Sequence, residues 1–172
     1  VGSTTTVRAA AFEPGLQPTN VDTESYIFMS DVIQQEPTGQ APPGFPSTSV
    51  NGQVFNYGMD PTIVNADPNL INDIQSLPSV SLVMDPKDLF DANTGIYTHA
   101  SNHGQTWERP ASIEFLYPDG TTKDIQSGAG VRIRGGYSRS GNNPKHAFHL
   151  YFRSQYGNGS FALLLKVVNS QA

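Results

Sequence analysis

The chain has 172 residues, 37% of them hydrophobic and 15% charged, with a formal net charge of −5. That length fits one ordinary domain with a real core, and 16 glycines with 13 prolines argue against a helix-rich fold. The acidic balance gives no global attraction for nucleic acid, and the absence of cysteine excludes disulfides, thiolate metal sites and a thiol nucleophile.

In chain order, Thr5 to Phe12 and Glu24 to Met29 have strand composition, with turn signals at Pro14-Gly15 and Pro18 between them. Gln34 to Pro61 is acidic and proline-rich, and Phe45, Val54, Phe55 and Tyr57 would anchor it as an irregular, surface-hugging connection. Asp67-Pro68 predicts a short helix through about Leu77, with Asp67 as N-cap, Pro68 in the first position and Leu70, Ile71, Ile74 and Leu77 on one face. Val80 to Met84 reads as a strand, and Asp85-Pro86 caps one further turn through Phe90. Ile113, Phe115 and Tyr117 alternate against Ser112, Glu114 and Leu116, which predicts a half-buried strand from Ala111 to Tyr117. Pro118-Asp119-Gly120 is a turn, and Val131 to Arg134 and His146 to Phe152 follow as strands. The fold class is α+β and β-rich, an antiparallel sheet with one or two short helices. No apolar run approaches a membrane span, Val1 opens no signal peptide, and a first residue other than Met leads us to expect a processed form or an excised fragment.

Charge is unevenly placed. Lys and Arg are absent between Arg8 and Lys87, whereas Lys123 to Arg153 holds six basic residues against Asp124 alone. Within it, Val131 to Arg153 reads as strand, glycine- and serine-rich turn, strand, and carries half of all the cations. Backbone amides, hydroxyls and fixed positive charge on a flexible turn suit an anion such as phosphate.

The second constellation is histidine. His99 and His103 are four positions apart, in a stretch whose glycines and polar residues favour a loop, and His146 and His149 lie three apart on a predicted strand. Imidazoles with acidic oxygens from Asp85, Asp88, Asp91 or Glu108 would suit zinc or manganese, in a site where the ion activates water against a phosphate ester. On a strand, however, His146 and His149 point to opposite faces. Gly128 and Gly130 form no dinucleotide fingerprint, no serine sits in a nucleophile elbow, and Trp107 with Tyr97 and Tyr137 offers at most a sugar-stacking platform.

Five blocks together carry a resemblance: Met84 to Phe90, Gly95 to Tyr97, Trp107 to Phe115, Ile133 to Arg139, and Pro144 to Phe148. In this order they resemble the first part of CotH-type domains, atypical kinases also found in large exported bacterial proteins. Residues 5 to 29 resemble the end of the chitobiase C-terminal-like β-sandwich that often precedes them. The resemblance implies three segments: 1–30 as the end of that sandwich, 31–64 as a proline-rich connection, and 65–172 as a truncated N-lobe with an atypical tail. It implies a small phosphorylated ligand, ATP with magnesium, held by Arg134, Gly135, Gly136, Ser138 and Arg139 with Lys145 pairing the phosphates. The acidic motifs of a kinase's second lobe have no counterpart here, so a complete kinase is not expected. A lone lobe would expose apolar surface and strand edges, from which we expect a homodimer, with the apolar run Phe161 to Val168 covering that surface or pairing with another copy. Export of the parent protein is implied by the resemblance. The alternatives are the metal-dependent hydrolase and a structural or carbohydrate-contacting segment of a surface protein.

Overall fold

The computed structural model describes residues 1–16, 19, 21–35, 41–121 and 124–157. Lys123, Pro18 and the run from Phe161 to Val168 therefore lie outside the described residues. Alternating apolar and polar residues produce the central element, a four-stranded antiparallel sheet in the order β3-β4-β5-β6. Its strands are β3 (Ser79–Val83), β4 (Arg109–Leu116), β5 (Ile125–Arg134) and β6 (Ala147–Tyr151). The fold is a β-rich α+β fold, as its composition requires.

Register assigns the two faces. Leu82 pairs with Ile113, Ala111 with Ala129, Val131 with Leu150 and Ile133 with Phe148, so these apolar residues share one face. That face packs on Ile96, Ala100, Leu89, Met84, Tyr97 and Trp107. Ile113, Ala129 and Val131 are completely buried.

The opposite face is covered too, and this departs from the half-buried strand expected at 111–117. A hairpin of β1 (Thr5–Ala9) and β2 (Asp22–Tyr26) lies across it through polar contacts. Glu114 Oε1 accepts from the Ser25 amide at 3.1 Å, Thr23 Oγ1 donates to Ser112 Oγ at 2.8 Å, and Gln126 Nε2 donates to the Thr23 carbonyl. Glu114 is consequently buried although alternation places it on the polar side.

Among the described residues four short helices accompany the sheets, where sequence patterning yields one or two. They are α1 (Met29–Val32), α2 (Pro61–Ala66), α3 (Leu70–Gln75) and α4 (Pro86–Phe90). Met29 thus starts a helix instead of ending a strand. Asp60 and Asp85 cap α2 and α4, accepting from the Thr62 and Lys87 amides, each with proline in the first turn. The expected helix from Asp67-Pro68 begins later, at Leu70. Asp67 accepts from the Asn69 amide at 2.9 Å, as Asp60 and Asp85 do from the amides two residues on, but the residues between form a turn in which the Leu70 amide donates to the Asp67 carbonyl at 3.3 Å, and the helix starts after it.

The connection before α2 is anchored as its aromatic residues imply. Phe45, Phe55 and Tyr57 form a cluster with Phe90 and Tyr97, with ring centroids 4.9 to 6.3 Å apart. Val54 stays outside this cluster, 39% exposed.

Candidate functional site

The glycine turn after β5 is a self-bonded clip. Gly135 adopts φ 103°, a conformation open to glycine, which lets the chain fold back so that Ser138 Oγ donates to the Arg134 carbonyl at 2.5 Å. Arg139 then spends its guanidinium on four backbone carbonyls: Gly135 at 2.6 Å, Ala100 at 2.6 Å, Asn102 at 3.0 Å and Ile133. Lys145 Nζ donates to the Gly58 carbonyl at 2.6 Å. The turn and its lysine therefore tie the 100–102 loop and the connection before α2 to the sheet. Gly136 lies in open space, and Arg134 and Lys145 are the exposed cations of the group, Arg134 on the hairpin side of the sheet.

The four histidines stand in separate surroundings. His99 Nδ1 lies 3.0 Å from the Gly95 carbonyl, its ring 5.1 Å from Trp107 and its Nε2 3.4 Å from Asn51 Nδ2. His103 is exposed in the loop that follows. His149 stacks on Tyr151 at 4.4 Å with rings within 18° of parallel. His146 is buried against Tyr97, also at 4.4 Å, with Nδ1 bonded to the Ser138 carbonyl. Among the described residues no three His, Asp or Glu side chains gather as a metal-ligand set.

His146 has a consequence for stability. Its Nε2 is buried with no hydrogen-bond partner among the described residues. Burial is the largest influence on its pKa and, with the nearby Arg139 charge, outweighs the Ser138 carbonyl and holds it below the ordinary imidazole value. A folded-state pKa below the unfolded one means that stability is full above about pH 6.5 and declines as pH falls through that range, because protonation favours the unfolded chain. Denaturant titrations across that range should show the decline in the native protein and a flatter profile in His146→Phe. Equal profiles would show that His146 does not set the dependence.

The most organised polar cluster lies elsewhere, on the outer face of β5 and β6. Glu108, immediately before β4, has a fully buried side chain. Its Oε2 takes Arg132 Nη2 at 2.5 Å and Nε at 2.7 Å, and its Oε1 takes Arg153 Nε at 2.9 Å. Burial raises the Glu108 pKa, but hydrogen bonds from Arg153, Arg132 and Tyr156 together with the Arg132 charge overcome that and hold it below the ordinary carboxylate value. Both guanidinium groups also lie over the Tyr151 ring, Arg132 at 4.2 Å and Arg153 at 4.9 Å. His149 pairs across from Arg132, and Arg134 follows two residues along the same face. The cluster thus combines one carboxylate, two anchored guanidinium groups, an exposed third arginine and a stacked pair of rings.

Glycine makes room for this cluster. A Cβ at Gly130 would come within 2.5 Å of both Glu108 Oε1 and the Tyr156 ring, and one at Gly128 would overlap the Tyr156 carbonyl. The segment Arg153 to Gly157 therefore crosses β5 over two positions that have no side chain. Beside it, Asp22, Ser112, Gln126, Ser127 and Tyr156 line a polar cleft of about 350 Å³. Sequence reasoning missed Glu108 as an anchor and set aside Gly128 and Gly130. The usable signal was their spacing with Arg132: alternate positions of one strand, all on one face, with two glycines followed by a cation.

Trp107 and Tyr97 pack against the core, whereas Tyr137 stands 87% exposed at the clip, so the three do not form a sugar-stacking platform. No family model, no curated protein and no solved structure matches the chain. The CotH-type resemblance accordingly rests on its motifs alone. No helix among the described residues is long and apolar enough to cross a membrane.

Proposed function

We propose that the protein is a phosphate- or nucleotide-binding module of the kind the CotH-type resemblance implies, with its anion site on the outer face of β5 and β6. The supporting observation is the Glu108–Arg132–Arg153 cluster. One buried carboxylate fixes two guanidinium groups and balances only one of their charges, leaving positive charge beside the exposed Arg134. Arginine presents a planar fork suited to phosphate oxygens. The His149–Tyr151 stack supplies a flat aromatic surface of the sort a base would need. Relative to the sequence-based assignment the emphasis moves from the glycine turn to the strand face, because Arg139 and Lys145 already bond backbone carbonyls. ATP with magnesium as natural ligand, export of the parent protein and a homodimeric state belong to the same proposal. The metal-dependent hydrolase has no supporting geometry among the described residues.

Calorimetric titration with inorganic phosphate, ADP and ATP tests the anion site. Arg134→Ala should weaken binding about tenfold or more, since a hydrogen bond to a charged group contributes about 1.5–3 kcal/mol. Lys145→Met should leave affinity unchanged. Absence of binding in the native protein, or a loss confined to Lys145→Met, would reject the strand-face site.

A further inference from the structure

The two edges of the β1–β2 hairpin differ. On β2 the Ser25 amide donates to Glu114 Oε1 and the Thr23 carbonyl accepts from Gln126 Nε2, so Thr23 and Ser25 turn their peptide groups toward the four-stranded sheet. Antiparallel alternation then turns Asp22, Glu24 and Tyr26 toward β1, and their register partners Ala9, Val7 and Thr5 toward β2. Thr6 and Arg8 are left with peptide groups facing outward, and no backbone hydrogen bond from another described residue reaches either of them, while two positions before Thr6 the Thr4 amide donates to Asp31 Oδ2 at 2.6 Å. Strand edges in natural proteins are commonly guarded by proline, a bulge or several charges. Thr5 to Ala9 contains three β-branched residues, no proline and one charge, so the edge is unguarded.

We propose that this edge pairs with β1 of a second copy of the chain, antiparallel about a two-fold axis at Val7, joining the two hairpins into one four-stranded sheet. The inference rests on the homodimer of the proposed function, not on its anion site. A second copy fits because the edge is self-complementary. A two-fold at Val7 sets Thr6 opposite Arg8 of the other copy and the reverse, and these are the residues whose donors and acceptors are free. No like charges then stand directly opposite, and Val7, 49% exposed in one copy, meets its counterpart on the outward face. Continuing the register brings Phe12, 77% exposed, to the segment beginning at Val1 of the other copy, itself 73% exposed. Apolar groups left in water on one hairpin thus meet their complements on the next.

The test uses a cysteine, because the chain has none. Val7 on the axis is a non-hydrogen-bonded pair, in which Cα atoms lie about 4.5 Å apart, within disulfide range. Under mild oxidation Val7→Cys should convert to a covalent dimer several times faster than Tyr137→Cys, whose thiol is more exposed but lies off the edge. The native protein should sediment as two chains of 18.6 kDa each. Thr6→Pro should sediment as one chain with an unchanged circular dichroism spectrum, because the amide it removes faces away from β2. Its affinity for inorganic phosphate should match the native value, so failure of the dimer and failure of the anion site are separately visible. A native protein of one-chain mass, a folded Thr6→Pro that stays dimeric, or equal oxidation rates for the two cysteine variants would overturn the interface. Should Thr6→Pro unfold, the comparison of cysteine rates decides.

Discussion

Glu108→Ala should lower the free energy of unfolding by about 3 kcal/mol, within the 3–5 kcal/mol typical of removing one partner from a buried ion pair. The expectation follows from what remains behind. Arg132, whose side chain is 18% exposed, would keep a full charge in a largely buried position without its ion-pair partner. Arg153 is 38% exposed and can turn its head into water, so its share is discounted by screening and the lower end of the range applies. Removing the whole set would be milder than removing the carboxylate, because an ion pair replaced entirely leaves no uncompensated charge. A Glu108→Ala, Arg132→Met, Arg153→Met triple variant should therefore recover part of the lost stability in urea titrations. A loss under 1 kcal/mol for Glu108→Ala would mean that the cluster is solvated and adds little.

The same residue predicts an acid limit. The folded-state pKa of Glu108 lies below its unfolded value, so its contribution is complete above about pH 4.3 and disappears as pH falls through the depressed folded value. Glu108→Gln should lack that component of acid unfolding while keeping the amide's bond to an arginine. With His146 acting in the higher imidazole range, the two losses separate on the pH axis and can be assigned by single substitutions.

The strands were legible where local alternation sets them, although β5 begins at Ile125, before the expected start at Val131. Val131 and Ile133 against Arg132 and Arg134 specify both a strand and its orientation with no knowledge of the rest of the chain. Helix starts were less legible. Asp60-Pro61, Asp67-Pro68 and Asp85-Pro86 carry the same signal, yet only the first and third open a helix directly. The middle pair makes the same side-chain bond to the amide two residues on, yet a turn through Asn69 precedes α3, and nothing in the dipeptide distinguishes the outcomes.

The site was legible in its ingredients and not in its connections. Sequence shows that Arg139 is a cation on a glycine turn. It does not show that two of the carbonyls quenching it lie 37 and 39 positions earlier. Likewise Glu108 meets Arg153 across 45 positions, a pairing decided by sheet order and by the return of the chain over β5. Charge density points to the segment, while the distinction between a free cation and a spent one depends on which backbone groups the fold brings near. That is why the proposed site rests on Arg134 and not on Arg139.

Gly128→Ala should release the segment Arg153 to Gly157 from the sheet and reduce stability by about 2–3 kcal/mol, the upper part of the range for single substitutions. The obstruction is backbone against backbone. A Cβ at Gly128 would overlap the Tyr156 carbonyl, which has no rotamer with which to escape, so relief requires the strap itself to move. Movement of the strap withdraws Arg153 and Tyr156 from Glu108, leaving Arg132 as the carboxylate's remaining partner. The effects of Gly128→Ala and Arg153→Ala should then be less than additive, since each removes the same contact. Hydrogen exchange supplies the readout that a general loss of stability would not mimic. Amides around Tyr156 should lose protection in Gly128→Ala while those of Ile113 and Val131, in the completely buried layer of the sheet, keep theirs below the global transition. Uniform loss of protection would show that the strap and the sheet unfold as one unit, and full protection at Tyr156 would show that β5 yields instead.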